Sequence, residues 1–434
     1  MAADRAAQKT PEERLIFVAI AGAWGWYVLG ALYILGPALA AVLLGKYLWR
    51  RYTHPAQRPE RRPAPVPFSV WVWILGMLTM LLALLVAHAD YALGFAQTLK
   101  STIGWMKGWA LLAAFPLAGA CLKIRPEVVS RAMCWFAVQT LLLLPLLVAA
   151  ALVHAPSHLY VSPLRLVGGP GPEFFEVMPY SIDPSNGSFR WQFIAPWAPA
   201  GGMLGNLVLL LAMAEKQRGF RYAGIAAAVL IALMTKSRMA LLFTILLPPL
   251  LFGLTRLMTV RGQVILSGAS LVLGLLANWL LEVIGNAVSA FRKARSDSTR
   301  VREALGRIAV TRWQSEAPIW GHGIVEQGPH YVEHMPIGSH HTWFGLLFVK
   351  GIVGVIGLIV PLLWSFVEML LLAHFEPVGR TALAFVLLLI FYSFGENLEI
   401  LAYLYWPGLI VLGRAFAAAA RAHATEPATS PAPA

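Results

Sequence analysis

Between residues 341 and 372 the chain reads HTWFGLLFVKGIVGVIGLIVPLLWSFVEMLLL. Because ~20 consecutive apolar residues suffice to cross a bilayer as a helix, this run is long enough to span one. Similar runs recur along nearly the whole 434-residue sequence, which is 58% hydrophobic and 13% charged. Soluble globular chains carry about 25% charged residues. The sequence therefore predicts an all-α polytopic integral membrane protein in which residues 1–434 form a single transmembrane domain.

The apolar runs predict about twelve transmembrane helices. The first run, Leu15 to Trp49, is too long for one upright helix, and Gly30, Gly36 and Pro37 divide it into two short, tilted spans. It is also far longer than the 7–15-residue core of a signal peptide, so we expect no cleavable one. The other spans are expected at 68–88, 101–120, 128–153, 191–214, 222–235, 239–255, 263–285, 341–372, 381–394 and 400–418.

Lysine and arginine are concentrated in alternate loops. With the N-terminus on the cytoplasmic side, 20 of the 34 basic residues fall in cytoplasmic segments, as the positive-inside rule requires. Both termini are therefore expected in the cytoplasm. The proline-rich segment 55–67 is expected to be a flexible linker, and residues 419–434 a disordered cytoplasmic tail.

Two sizeable loops, 154–190 and 286–340, are expected on the outer side. The second carries seven lysines and arginines against five acids, although it lies on the side where basic residues are usually depleted. This excess indicates an anionic ligand at the outer face; the alternative is a solvated amphipathic helix over about 290–313. The same loop holds four of the eleven histidines and His341 follows it directly, and we expect the loop to carry the catalysis.

The sequence does not favour a metal or redox centre. His330 and His334 are four residues apart, as two zinc ligands on a helix are, but no H-E-x-x-H motif is present and neighbouring prolines disfavour a helix. Four aspartates, with no D-x-D pair, offer little for magnesium. Cys121 and Cys134 fall in or beside spans. We expect no cofactor and metal-independent chemistry.

Charged residues at membrane depth are costly and often functional. Arg238 stands between two apolar segments, where it either faces a cavity or extends to the interface. Lys350 is expected about 15 Å deeper than His340 at 1.5 Å per helical residue, paired structurally with Glu282, Glu396 or Glu399. For Glu396 and Glu399 a structural role is favoured over a catalytic one.

These residue types suit group transfer from a phosphorylated donor. The planar guanidinium of arginine matches phosphate oxygens. Neutral histidine, with an ordinary pKa near 6.5, can accept a proton from an attacking hydroxyl. Without a metal ion, arginines would have to neutralise the charge that develops on the leaving group.

Three short motifs resemble the signatures of the O-antigen ligase and polymerase superfamily. In that family a His-Asn pair opens a membrane helix and a Gly-x-x-Gly step follows eleven residues later, which is similar to His340-His341 and Gly351 to Gly354 here. Residues 318–323, PIWGHG, resemble its P-x-x-G-x-G turn, and residues 237–241, SRMAL, resemble its Ser-Arg-x-x-Leu motif. The motifs lie mainly in 235–354 and occur in the family's order.

The resemblance implies a GT-C type glycosyltransferase at the periplasmic face of a Gram-negative inner membrane. It would transfer O-antigen polysaccharide from undecaprenyl pyrophosphate to a lipid A–core oligosaccharide, in lipopolysaccharide biosynthesis, by inverting displacement. His340 would accept the hydroxyl proton, and Arg238 would bind the pyrophosphate with either Arg300 or Arg312. Further substrate contacts are expected from Arg165, Arg190, His341, which replaces the family's asparagine, and His322.

The acceptor is the least defined part of this prediction. An O-antigen polymerase, or an enzyme that transfers lipid-linked glycans to protein, would share the donor and the chemistry. A transporter with Arg238 and Lys350 along an anion pathway is the alternative from another class, although it predicts inverted repeats that the sequence lacks. The expected partners are the glycan donor, the acceptor and membrane lipids, with no nucleic acid.

Overall fold

The computed structural model describes residues 9–53, 63–182, 187–256, 259–293 and 296–425. Most of the linker expected at 55–67 and the tail beyond residue 425 lie outside these ranges. Helices dominate the described chain. In order they are α1 (Pro11–Ala21), α2 (Ala23–Val28), α3 (Leu32–Thr53), α4 (Phe68–Asp90), α5 (Phe95–Lys107), α6 (Leu111–Cys121), α7 (Pro126–Leu152), α8 (Ala198–Met213), α9 (Arg218–Met234), α10 (Arg238–Arg256), α11 (Val260–Leu275), α12 (Ala277–Lys293), α13 (Ser296–Glu316), α14 (Thr342–Leu372), α15 (Pro377–Tyr392) and α16 (Leu398–Thr425).

Six of the described helices, α3, α4, α7, α10, α14 and α16, are long and apolar enough to cross a membrane. The pair α11 and α12 adds a seventh if its 73° bend lies within one span, and α8 and α15 are shorter apolar helices. These features support an all-α membrane protein, while the count of twelve spans stays a prediction. The span expected at 101–120 was wrong in one respect: α5 ends at Lys107 and α6 begins only at Leu111.

The basic segments expected on the cytoplasmic side lie together at one end of the bundle. Ion pairs join them across the chain: Lys46 and Arg50 to Glu12 at 3.0 and 2.8 Å, Arg125 to Glu13 at 2.8 Å, Arg131 to Glu215 at 2.7 Å and Lys216 to Glu127 at 2.8 Å. We call this the basic end. The described residues of the two loops, 154–182 with 187–190 and 317–341, lie at the opposite end, the loop end. The grouping agrees with the alternation of charge in the sequence.

The helix α16 lies at the centre of the bundle. It is apolar around its whole circumference, and residues from Leu398 to Phe416 are buried almost without interruption; such a helix has no face for water. Gly119 of α6 lies against the backbone of Ile410, and Gly413 of α16 lies against the backbone of Pro116. Small residues let the two helices approach this closely. α16 therefore provides a rigid support for the loop end.

The first loop is attached to the ends of the N-terminal helices. Two short antiparallel ladders, β1 (Tyr160–Val161) with β2 (Glu176–Val177) and β3 (Tyr180–Ile182) with β4 (Phe189–Trp191), shape it. The Ser162 hydroxyl donates to the carbonyl of Leu29 at 3.0 Å, and the Met178 amide donates to the Tyr27 hydroxyl at 2.7 Å. These bonds hold the loop over the bundle.

The second loop contains the amphipathic helix that the sequence predicts, shifted to α13. One face of α13 is buried: Val301, Ala304, Leu305 and Ala309 form a cluster with Val332, Ile337 and Phe348. The spacing of three and four residues is that of one helical face. α13 therefore packs on the first turns of α14 with its apolar face and exposes its charged face, as an amphipathic helix does. This packing brings the basic residues of α13 to the start of α14.

Candidate functional site

The turn 318–323 is inserted into a break in α14. At Gly351 the backbone has φ 58° and ψ −160°, so the helix is interrupted there. The amides of His322 and Gly323 donate to the carbonyls of Phe348 and Val349, each at 2.9 Å. In return the amide of Ile352 donates to the carbonyl of Pro318 at 3.1 Å, and that of Val353 to Ile319 at 3.3 Å. The turn thus satisfies backbone groups that the break leaves without helical partners.

The N-terminus of α14 is held to the corner between α15 and α16. The Thr342 amide donates to the carbonyl of Ser393 at 3.0 Å, and the Thr342 hydroxyl donates to the carbonyl of Glu396 at 2.7 Å. The Leu398 amide donates to the same hydroxyl at 3.1 Å. His341 is the N-cap: its Nδ1 accepts from the Phe344 amide at 3.4 Å, and its ring stacks on Phe344 with centroids 4.1 Å apart. His341 therefore caps α14 and also lines the smaller of the two cavities at the loop end; the substrate contact expected of it stays a prediction.

His340 lies in the wall between two cavities at the loop end. The larger has a volume of about 450 Å³ and is bounded by both loops, α14 and the start of α16; its lining includes Glu173, Phe174, Trp197, Lys350 and Glu399. The smaller has a volume of about 180 Å³, and its lining includes Arg302, Glu303, Phe344 and Phe394. His340 and Gly338 line both. A group bound in either cavity would contact the imidazole.

Arg302 places a positive charge near His340. Burial is the main cause that lowers the pKa of His340 to about 4, and the positive charge of Arg302 lowers it further. Burial also raises the pKa of Glu396 to about 7, opposed by a hydrogen bond from Trp197 and by Arg302. At neutral pH His340 is therefore an uncharged imidazole that can accept a proton. Arg302 makes no hydrogen bond or ion pair with any other described residue, so its guanidinium can bind a ligand.

Two of the site residues predicted from the sequence need correction. Arg312 is held by Glu316 and Glu326 and lies over the ring of Phe348 at 5.1 Å. His322 is 2% exposed, with Nδ1 2.9 Å from the Phe348 carbonyl and Nε2 2.8 Å from Glu316 Oε2. Their hydrogen bonds join the end of α13, the segment after the turn and the Phe348 carbonyl of α14, and neither residue lines the two cavities. They stabilise the site without facing a substrate.

The other predicted residues lie near the loop end but outside the cavity linings. Arg238 begins α10; its neighbour Met239 covers Gly395, which precedes Glu396. Arg300 is exposed on α13, two residues before Arg302 and therefore on a different side of the helix. Arg165 is exposed on a short 3₁₀ helix, Pro163–Val167, and Arg190 lies in β4. The structure brings His340 close to the corner between α15 and α16, which Met239 next to Arg238 also contacts. Arg165 stays at the surface.

Sequence reasoning missed Arg302 and placed Lys350 near the right carboxylate. A signal for Arg302 was present: it precedes Leu305 and Gly306 by three and four residues, so it borders the buried face of the amphipathic helix. Lys350 is buried, as expected, and Glu399 is the carboxylate that acts on it electrostatically. The two do not form an ion pair, however, and both side chains line the larger cavity. Lys350 therefore reaches the cavity, and the structural role expected of it stays a prediction.

The histidines of the second loop do not assemble into a cluster of ligands. The rings of His330 and His334 are 5.7 Å apart, and no group of three or more His, Cys, Asp or Glu side chains with metal-binding geometry occurs in the described part of the chain.

Comparison with known proteins adds no relative. No protein-family model matches the sequence, and a search of curated proteins found no significant similarity. The likeness to the O-antigen ligase and polymerase superfamily therefore rests on the three motifs and on the site that they form.

Proposed function

We propose that this protein is an O-antigen ligase of the GT-C type, which transfers O-antigen polysaccharide from undecaprenyl pyrophosphate to a lipid A–core acceptor at the periplasmic face of a Gram-negative inner membrane. The proposal includes twelve spans, with both termini in the cytoplasm. One observation carries it: a neutral imidazole, His340, separates a cavity that contains an unpaired arginine from a larger cavity lined by aromatic and polar groups. This is the arrangement that metal-independent transfer from a diphosphate needs.

The reaction is a single displacement. The acceptor hydroxyl oxygen forms a bond to the anomeric carbon of the donor sugar while the bond from that carbon to the pyrophosphate oxygen breaks. The leaving oxygen keeps the electron pair, and undecaprenyl pyrophosphate departs with the added negative charge. His340 accepts the hydroxyl proton, and Arg302 neutralises charge on the leaving group, assisted by Arg238. Attack opposite the leaving group inverts the anomeric configuration.

The electrostatics of the site favour proton acceptance only after the donor has bound. In the free protein, burial and Arg302 keep the pKa of His340 at about 4, which makes the imidazole a weak base. A pyrophosphate next to Arg302 offsets the arginine charge and brings negative charge towards the imidazole, and both effects raise a histidine pKa. Donor binding thus prepares the base.

The experiment that tests the function is a transfer assay with purified protein. It offers the lipid-linked glycan together with either lipid A–core lipopolysaccharide or a protein acceptor. Transfer to the core supports the ligase; transfer to protein, or elongation of the lipid-linked glycan itself, would identify one of the two related enzymes. Absence of transfer to every acceptor, with protein that is folded and binds the donor, would contradict a glycosyltransferase and leave the transporter.

Lipopolysaccharide from a deletion strain gives a second test. A ligase deletion is expected to remove the whole O-antigen ladder while lipid-linked polymer accumulates. A core that carries a single repeat would instead indicate the polymerase.

A further inference from the structure

The larger cavity contains a buried ammonium group that the fold does not neutralise. Lys350 is 3% exposed, and its side chain lines the cavity. Its ammonium group makes no hydrogen bond or ion pair with any described residue, although Glu399 and His88 are near enough to interact with it electrostatically. An ammonium taken out of water without a partner is strongly unfavourable. A ligand in the cavity would provide the missing hydrogen-bond acceptors.

The break in α14 determines the position of Lys350. Gly321 of the inserted turn lies against the Lys350 amide, and Gly354, one turn further along α14, lies against the Lys350 side chain. Because Gly354 has no Cβ, it leaves room for the Lys350 methylene groups beside it. The Lys350 side chain passes this glycine and lines the cavity.

Much of the cavity lining is aliphatic, but its polar and aromatic members are of the kinds that recognise hydroxyls and sugar rings. Glu173, Asn397 and Glu399 contribute carboxylate and amide oxygens, and Trp109, Phe174 and Trp197 contribute aromatic rings. The faces of such rings are electron-rich, and therefore attract the polarised C–H groups on the face of a pyranose. The volume of about 450 Å³ falls within the ~300–1,000 Å³ of typical small-molecule pockets.

The balance of charge disfavours other ligands. Two carboxylates stand beside one ammonium, so a phosphate in this cavity would meet net repulsion. A lipid or detergent chain would leave the Lys350 ammonium group without a hydrogen-bond acceptor. A neutral polyhydroxylated ring satisfies donors and acceptors together, and stacks on the aromatic side chains.

We propose that the larger cavity binds one neutral pyranose unit of a glycan substrate, with Lys350 and Glu399 bonded to its hydroxyls and the ring against Trp197. The inference rests on the proposed function in one respect: it places the bound sugar next to His340, which lines the same cavity. The sugar comes either from the reacting end of the donor or from the acceptor. Both sources present the same chemistry to the cavity.

Binding of free oligosaccharides tests the subsite without any transfer reaction. The probes are the lipid-free core oligosaccharide and the O-antigen repeat unit, each released by mild acid, and binding to the detergent-solubilised protein is followed by saturation-transfer NMR. We expect one of the two to bind, and Lys350→Met and Glu399→Gln to weaken that binding by about tenfold or more. Lys100→Met, which removes an exposed lysine, is the matched control. The oligosaccharide that binds identifies the source of the sugar.

Kinetics and stability complete the test. In the transfer assay Lys350→Met should raise the KM for the same substrate at least tenfold, with a smaller change in kcat, and should leave the melting temperature unchanged or higher because an unpaired buried charge is removed. A lower melting temperature, with unchanged sugar binding, would show a structural lysine and overturn the proposal. If the wild-type protein transfers glycan but both variants bind both oligosaccharides normally, the subsite is wrong and the ligase stands. If no transfer occurs but binding depends on Lys350, the subsite stands and the ligase is wrong.

Discussion

The carbonyl oxygen of Ile319 occupies the space that a side chain on Gly351 would need. Gly351 also has a φ of 58°, a value that residues with a Cβ rarely adopt. The two motifs that these residues represent, the turn at 318–323 and the glycine step in α14, are therefore one structural device. It interrupts α14 after Lys350. It also fixes the N-terminal part of this helix, which begins two residues after His340.

Replacing Gly351 by alanine tests this device. The added methyl group collides with the Ile319 carbonyl and requires a strained φ, so we expect a loss of more than about 2 kcal/mol of stability and little transfer activity. The melting temperature of the purified protein provides the measurement. Gly45→Ala, at a helical position with open space around it, is the control and should leave stability unchanged or slightly higher. Equal melting temperatures for the two variants would contradict the account.

Arg302 is predicted to bind the donor pyrophosphate. Removing the guanidinium by Arg302→Ala should lower kcat/KM for the lipid-linked donor by about 100-fold or more, comparable to the loss of one preorganised donor at a developing oxyanion. Arg307→Ala, an exposed arginine on the same helix, should stay within twofold of the wild type, and Arg300→Ala should have a smaller effect than Arg302→Ala. Steady-state kinetics with varied donor concentration would check all three. A ranking in which Arg300 matters more than Arg302 would restore the assignment made from the sequence.

His341 is predicted to act through the helix it caps. Asparagine is a better N-cap than histidine, so His341→Asn should retain both stability and most of the transfer activity. His341→Ala should lose up to about 1 kcal/mol of stability and keep measurable activity. Activity and unfolding temperature are measured on the same samples. Complete inactivity of the asparagine variant, in protein that is still folded, would show that the imidazole of His341 takes part in the chemistry.

Glu396 is predicted to make stability decrease at rising pH. Its folded-state pKa of about 7 lies above the ordinary 4.5, so its contribution is fully present below pH 4.5 and is lost as the pH rises through 7, by up to about 3 kcal/mol. Glu396→Gln should therefore flatten the dependence of melting temperature on pH between 5 and 8. His340 acts in the opposite sense at acid pH, because its pKa of about 4 lies below the ordinary 6.5: stability is lost as the pH falls from 6.5 towards 4. Parallel curves for the wild type and Glu396→Gln would refute the prediction.

The sequence predicted the class of fold because the signal for it is local. A run such as 341–372 can be recognised from its own residues, and so can the alternation of charge that groups Glu13 with Arg125 at the basic end. The short gap between α5 and α6 was missed because only one lysine and one glycine mark it inside a longer apolar run: the segment Lys107 to Leu111 reads KGWAL.

The site was less predictable because it depends on contacts between distant segments. His340 could be identified from its motif, but the choice between Arg300, Arg302 and Arg312 depends on which face of α13 is buried. Arg312 pairs with Glu316 and Glu326. The pair with Glu326 depends on how the turn 318–323 folds back, which the sequence does not show. Likewise, burial alone suggested an ion pair for Lys350, whereas the structure puts its ammonium group in a cavity.

The most direct test of the account is the single-turnover rate of glycan transfer by His340→Ala and His340→Gln, with donor binding measured separately by equilibrium titration. The account predicts that both variants bind the lipid-linked donor within about threefold of the wild type. It also predicts that both transfer the glycan at least about 1,000-fold more slowly, within the 10²–10⁴-fold that a positioned general base contributes. Transfer at a rate near that of the wild type in either variant would contradict the central role of His340.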